Sequence, residues 1–183
     1  MPLARTEIDR DTKVGEILDA AEGRLVAGGY EHMSVAAIAR ELGIAQNSIY
    51  WYFPSKDDLF VAVLQRLLAR LAAKKPPHDR GLVAQVLWAT DRMHALAPLR
   101  SALRERARHS AAAAKFEREL DALIRRLLIH GIEPYLDDDE LQVAATAFLA
   151  TVEGTFRLGL SKPARHRVIK FALERTVGAF DRA

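Results

Sequence analysis

The sequence predicts an all-α protein of about nine helices, and three features of the chain support this fold class. Apolar residues recur every three or four positions along most of the 183 residues, which is the spacing of an amphipathic helix. No segment alternates apolar and polar residues between hairpin turns, as strands do. Glycines and prolines fall between the periodic segments, where helices end. The fold is therefore expected to contain helices and connecting turns only.

The composition is that of a globular protein that folds without cross-links. Half of the residues are hydrophobic, which provides for a sizeable core. Cysteine is absent, which excludes disulfides, thiolate nucleophiles and cysteine-ligated metals. Residues 1–13 are too charged for a signal peptide, and the apolar residues 141–152 are too few to cross a bilayer. We therefore expect a cytoplasmic protein without a membrane partner.

Three helices are predicted near the N-terminus. The first ends at Gly28-Gly29, because glycine tolerates the left-handed geometry of a helix C-terminus. Ser34 caps the second helix, residues 35–42. Gly43 stops that helix, and the third covers about residues 46–52. The apolar face of the first helix consists of Val14, Ile17, Leu18, Ala21 and Leu25.

The rest of the chain predicts a second helical domain. Pro54-Ser55 breaks the third helix and caps a connecting helix at residues 56–73. Paired prolines make residues 74–79 a linker. We assign residues 1–55 to an N-terminal three-helix domain and residues 56–183 to a C-terminal helical domain. Further helices are predicted near residues 81–96, 98–110, 113–133, 138–160 and 163–180.

Residues 34–56, SVAAIARELGIAQNSIYWYFPSK, have the steric pattern of a helix-turn-helix. Ala39 is small where the second helix must approach the third, and Gly43 suits a turn that needs positive φ. The apolar contacts between the two helices are assigned to Ile38, Leu42, Ile44 and Ile49.

Residues 43–56 resemble the recognition-helix signature of the tetracycline-repressor (TetR) family, and the similarity extends from about Thr12 to about Leu59. The resemblance implies a homodimeric, ligand-responsive transcriptional regulator. In its most specific form this is a repressor that binds a palindromic double-stranded DNA operator and is released by an unknown small apolar or amphipathic effector. The alternative is a helical small-molecule or protein-binding module that keeps the helix-turn-helix only as a scaffold.

The resemblance also implies which side chains contact DNA. Lys56 would bind phosphate, with weaker contacts from Ser34 and Val35 to the DNA backbone. The sequence departs from the family pattern at Asn47 and at Ala45, where serine often caps the helix. Because a lost cap costs about 1 kcal/mol, we expect this helix to be slightly frayed without DNA. The remaining contact set, on the third helix and its N-cap, is Ala45, Gln46, Asn47, Ser48, Tyr50, Trp51 and Tyr52.

Charge alone does not predict DNA binding. Residues 1–75 contain 10 Lys/Arg and 10 Asp/Glu, within a chain of net charge +3. Any binding must therefore depend on a few placed cations and polar groups. Plain core is the alternative interpretation of the four consecutive aromatic residues 50–53, but four such residues span the whole circumference of a helix. We therefore expect Trp51 and Tyr52 to be exposed.

A dimer interface is predicted because one helix-turn-helix reads too few base pairs to be selective. Small residues on the helix near 141–160 permit close packing, and the next helix has a long apolar stripe. The alternative is that this face belongs to the core of a single chain. The interface set is Ala144, Ala147, Thr151, Gly154, Ile169, Leu173, Thr176 and Phe180.

An effector pocket is predicted in the same domain, with plain core as the alternative at each position. His94 is the one polar member of the set, which is Trp88, Met93, His94, Phe116, Leu123, Leu127 and Phe148. Arg100, Arg104 and Arg108, with Arg106 nearby, are interpreted as a solvated face rather than an anion site.

The sequence provides no sign of an enzyme. No Ser/His/Asp set, phosphate loop or pair of catalytic carboxylates is evident. The acidic residues 137–140 are explained by helix capping, so we expect no metal. No cofactor is predicted either.

Overall fold

The computed structural model describes residues 3–74 and 81–178. Within these ranges the chain forms nine α-helices and no strand, which confirms the predicted all-α fold. A short 3-10 turn follows α7 at Glu133–Tyr135. No helix of the described ranges is long and apolar enough to span a bilayer. The helices are α1 Leu3–His32, α2 Val35–Glu41, α3 Gln46–Tyr52, α4 Lys56–Ala72, α5 Gly81–Ala95, α6 Ala97–Ala107, α7 Ala111–Ile132, α8 Asp138–Arg157 and α9 Lys162–Val177.

The described residues divide into two compact units. One contains the chain up to Ala73 together with Pro98–Glu117, and the other runs from Lys74 to Ala97 and resumes at Arg118. The domain division after residue 55 stays a prediction. Apart from Lys74, the linker predicted at residues 74–79 lies outside the described residues.

Helix α1 is longer than the sequence indicated, because it begins at Leu3 and continues to His32. The predicted break at the glycine pair is present as a kink inside it. Gly29 has φ 74° and ψ −170°, a conformation essentially restricted to glycine. The chain therefore changes direction here before it enters α2.

The turn between α2 and α3 has the predicted chemistry. The Ser34 hydroxyl accepts a hydrogen bond from the Ala37 amide, 3.4 Å away, and so caps α2. Gly43 has φ 65°, and the Ile44 amide then donates to the Ala39 carbonyl at 3.0 Å. This pairing satisfies a carbonyl at the end of α2 and sets the start of α3.

The first unit has an apolar core to which α1, α2, α3 and α4 all contribute. Ion pairs reinforce the packing of α1 on α4: Arg66 and Arg70 reach one carboxylate, that of Glu22, at 2.7 and 2.6 Å. Burial by itself raises the pKa of Glu22, but hydrogen bonds and charge from the two arginines outweigh it and lower the pKa. The fully buried side chains here include Ile17, Leu25, Met33, Ile38, Ile49, Leu59, Phe60 and Val63.

The second unit is organised around the packing of α8 on α9, with α5 against α9. Asp91, a residue of α5, links α5 to the first turns of α9. Its carboxylate accepts hydrogen bonds from Arg165 and His166, both at 2.8 Å, and pairs with Lys162 at 2.9 Å. The core residues are Ile132, Leu141, Ala144, Ala145, Phe148, Val152, Ile169 and Leu173.

Candidate nucleic-acid interface

Helix α3 packs on the first unit through one apolar side chain, and most of its other side chains are exposed to solvent. Ile49 is fully buried. Tyr52 is half-buried, and the remaining side chains of the helix are exposed. Gln46 donates a 3.4 Å hydrogen bond to the Tyr50 hydroxyl. A surface of amides, hydroxyls and aromatic rings therefore faces outward on a short helix that one buried side chain anchors.

The aromatic residues 50–53 divide between surface and core. Trp51 is 71% exposed, whereas Phe53 is buried. The Trp51 and Tyr52 rings meet edge to face, with centroids 4.9 Å apart. The predicted exposure is confirmed for Trp51 and holds in part for Tyr52. Two large rings are thus presented beside each other, in the range where aromatic pairs attract.

The N-terminus of α4 lies next to this surface in sequence and carries the predicted phosphate ligand. The Ser55 hydroxyl accepts from the Asp58 amide at 3.1 Å, so Ser55 is the predicted cap. Lys56, the first residue of the helix, places its Nζ 4.0 Å from the centroid of the Tyr30 ring. A cation–π contact of this kind holds the ammonium group without neutralising it.

A network of hydrogen bonds and charges around Asp57, the residue after Lys56, lies next to the proposed phosphate ligand. Asp57 accepts two hydrogen bonds from Arg106, at 2.9 and 3.0 Å, and one from the Tyr30 hydroxyl at 2.6 Å. Burial by itself raises the pKa of Asp57, but these bonds outweigh it and lower the pKa. For Tyr30, burial and the neighbouring carboxylate both raise the pKa. Arg106 therefore neutralises a carboxylate beside the proposed phosphate ligand.

Sequence analysis missed the role of Arg106. The residue was grouped with a solvated arginine face, and nothing in its spacing points to a partner 49 positions earlier. The useful signal is the acidic residue itself: Asp57 follows Lys56 directly and, as a buried charge, requires a cation.

Ser34 and Val35, the two weaker predicted DNA contacts, differ in how far their side chains are exposed to solvent. Ser34 is half-buried and its hydroxyl already caps α2. The side chain of Val35 is buried. Val35 is therefore limited to contact through its main-chain amide, at the N-terminus of α2, where helix amides attract anions.

Known proteins share this region of the chain. A model described as bacterial regulatory proteins of the tetR family matches residues 17–63. The HTH-type transcriptional repressor KstR of Mycobacterium tuberculosis is 41% identical over 68 residues, which are 37% of this chain and 30% of KstR. The helix-turn-helix region of this chain therefore belongs to the TetR family. The match spans less than a third of the relative's length, so it concerns this end of the chain alone.

Solved structures of TetR regulators share the fold over most of the chain. A regulator from Haloarcula marismortui has a TM-score of 0.69 and 22% identity, covering 92% of this chain and 98% of its own. FadR from Bacillus subtilis, solved in complex with stearoyl-CoA, has a TM-score of 0.54 and 17% identity, covering 90% and 98%. At these identities the likeness establishes a common TetR architecture.

The structure corrects part of the predicted dimer interface. Ile169 and Leu173 are 0% and 1% exposed, and Ala144 is buried with them in the core between α8 and α9. These three residues are unavailable to a partner, because the two helices bury this stripe against each other within one chain. Ala147 is exposed, and Thr151, Gly154 and Thr176 are half-buried. Phe180 lies outside the described residues.

The predicted pocket residues lie in different environments. Phe116 is buried in the first unit, and the other six belong to the second. Phe148 packs in the second unit's core, whereas Leu127 is at the surface of the chain, outside any enclosed cavity of it. The half-buried members are Trp88, Met93, His94 and Leu123.

Proposed function

We propose that this TetR-family protein is a homodimeric repressor that binds a palindromic operator and releases it when a small apolar or amphipathic effector binds. The proposal rests mainly on the exposed face of α3, anchored by the buried Ile49. A helix of this size fits the major groove. The amide side chains of Gln46 and Asn47 suit adenine, and hydroxyl groups suit bases or phosphates.

A paired substitution tests DNA binding. In the proposed complex, Tyr52→Ala with Lys56→Ala removes two contacts from each subunit and should abolish specific binding to DNA flanking the protein's own gene. A matched control, Tyr135→Ala with Lys74→Ala, removes the same residue types from exposed positions of the second unit. Fluorescence anisotropy at moderate salt is the measurement. Wild-type protein that forms no specific complex with this DNA or with DNA selected from a random pool would contradict the proposal.

We assign the dimer interface to the outward faces of α8 and α9, adjacent to the residues first predicted. Val143 on α8 and Leu158 at the C-cap of α8 are 70% and 75% exposed, and Phe171 on α9 is 61% exposed. Ala147 and Gly154 lie between the first two on the same side of α8, since they follow at helical intervals. Exposed apolar area of this kind favours a second copy, and a two-fold axis would join four helices in a bundle.

The oligomeric state tests this assignment. Leu158→Glu and Phe171→Glu should each convert the dimer to monomer at micromolar concentration, since a buried, unpaired carboxylate is costly. Val26→Glu serves as the control, because Val26 is equally apolar and exposed but lies on α1. Sedimentation velocity distinguishes the outcomes. Variants that remain dimeric would remove the interface from these helices.

The effector site is proposed in the second unit. The His94 ring lies 5.5 Å from that of Phe156, a polar group against an aromatic one, as an amphipathic ligand requires. The stearoyl-CoA in FadR indicates the type of probe to use. Stearoyl-CoA should release the operator from wild-type protein and act more weakly on His94→Ala. Native mass spectrometry of the purified protein provides an independent search for other ligands.

A further inference from the structure

We propose that Arg10, at the N-terminal part of α1, is a further DNA-contacting residue that binds a backbone phosphate at the rim of the major groove. This inference rests on the proposed function, because it assumes that α3 enters the groove. It adds a cation from a helix that precedes the helix-turn-helix and lies outside the set of contacts predicted from the sequence.

The first argument is the position of the Arg10 side chain. Its guanidinium carbon lies 5.5 Å from the centroid of the Trp51 ring, within the range of a cation–π contact. Arg10 is exposed, and Trp51 is the most exposed aromatic residue of α3. The long α1 thus delivers a positive charge to the outward surface of the recognition helix.

The second argument is the pairing of charges in the first unit of the protein. Among residues 10–73, Lys13 pairs with Glu16 and Arg24 with Glu41, while Arg66 and Arg70 share Glu22. Among the side chains that the structure describes, those of residues 10–74 and 81–178, no carboxylate partner is found for Arg10, Arg40 or Lys56. Two of these three cations lie on aromatic rings, those of Trp51 and Tyr30. Among these described side chains, the neutral overall count therefore conceals a few cations that have no carboxylate partner.

The third argument is the size of the groove. The major groove is about 12 Å wide, and a helix with its side chains is about 10–12 Å across. A helix that lies in the groove leaves little space at its sides, so a group resting on its flank is close to one sugar-phosphate strand. A guanidinium stacked on a ring keeps its N–H edge free, and that edge matches phosphate oxygens.

The experiment compares wild-type protein with Arg10→Ala and with Lys13→Ala, which removes one charge from the same helix but from a cation already paired with Glu16. Anisotropy titrations with operator DNA and with unrelated duplex DNA are repeated at several salt concentrations. For Arg10→Ala, the slope of log affinity against log salt should become shallower by about 0.9 for each subunit. Affinity should fall on both DNAs, because phosphate contacts are independent of sequence.

The outcomes separate the inference from the function on which it depends. Arg10→Ala that keeps the wild-type slope overturns the phosphate contact, whether or not its affinity falls. A loss on operator DNA alone, with an unchanged slope, would show that Arg10 only orients Trp51. An equal change of slope in Lys13→Ala would mean a diffuse charge effect and would also overturn it. Wild-type protein that fails to bind operator DNA would overturn the proposed function itself. Circular dichroism of each variant verifies folding.

Discussion

At the scale of single residues, the first unit of this protein is characterised by how its charges are paired. Asp57 is nearly inaccessible to solvent and is held by Arg106 and Tyr30, whereas its neighbour Lys56 lies on the Tyr30 ring. One tyrosine thus contacts both the carboxylate and the ammonium group. A phosphate approaching Lys56 would meet a carboxylate that is already neutralised, so the repulsion it feels is reduced.

Replacing Asp57 tests the strength of this network. Asp57→Asn removes the charge while keeping the shape, and hydrogen bonds to charged groups contribute about 1.5–3 kcal/mol each. We expect the free energy of unfolding to fall by about 2 kcal/mol, measured by urea denaturation. Tyr30→Phe, which keeps the ring under Lys56 but removes one hydrogen bond to the carboxylate, should lose about 1.5 kcal/mol. If Asp57→Asn were as stable as wild type, the network would be structurally unimportant.

At the scale of elements, the ends of the helices follow local chemistry. Ser34 and Ser55 cap α2 and α4 with their hydroxyls, whereas Ala45 provides no side-chain cap for α3. Helix α3 has only seven residues, and in its first turn the Ser48 amide donates to the Ala45 carbonyl at 2.9 Å while no side chain caps the helix. Its stability therefore depends on the packing of Ile49 rather than on its own hydrogen bonds.

A serine at position 45 should stabilise α3. The backbone of Ala45 has φ −69° and ψ 143°, the extended geometry that an N-cap needs, so Ala45→Ser should gain about 0.5–1 kcal/mol. Hydrogen exchange of the α3 amides should slow accordingly. Ser34→Ala serves as the opposite control and should destabilise α2 by about 1 kcal/mol. Unchanged exchange in Ala45→Ser would mean that α3 is not frayed.

The predicted elements show where sequence reasoning succeeds and where it stops. The bounds of α3 were predicted to the residue, because Gly43 and Pro54 enclose it. The apolar stripe of α9 was assigned to a dimer interface, whereas it packs in the core of the same chain. Ile169 and Leu173 form an apolar stripe that the sequence cannot allot to a partner or to α8 of the same chain. Periodicity reveals that a face is buried, but the identity of the covering surface depends on tertiary packing.

At the scale of the whole molecule, buried and half-buried carboxylates make stability depend on pH. Asp91 links α5 to α9; burial by itself raises its pKa, but hydrogen bonds from Arg165, Lys162 and His166 outweigh this and lower it. The pKa values of Glu22 and Asp57 are lowered in the same way in the first unit. A lowered pKa in the folded state contributes stability above the ordinary carboxyl pKa, about 4, and loses it as the pH falls further.

We therefore expect the protein to lose stability on acidification. The unfolding midpoint in urea should fall between pH 7 and pH 3.5, because the unfolded chain takes up protons more readily. Asp91→Asn should be less stable at pH 7 and show a weaker dependence on pH. Asp11→Asn, at an exposed position of α1, is the control and should keep the wild-type dependence. Asp91→Asn with an unaltered dependence would show that the contacts of Asp91 with Arg165, Lys162 and His166 contribute nothing to it.

The sequence by itself determined the fold class, the helix-turn-helix and, within one residue, the ends of α2, α3 and α4, because periodicity, caps and turn residues act over a few neighbouring positions. Only the tertiary structure decided which cation neutralises Asp57, which arginine lies on Trp51, and which faces of α8 and α9 remain open. These contacts join residues about 40 or more positions apart or depend on which helix covers which. Their formation follows from the packing of whole elements, which no local pattern encodes.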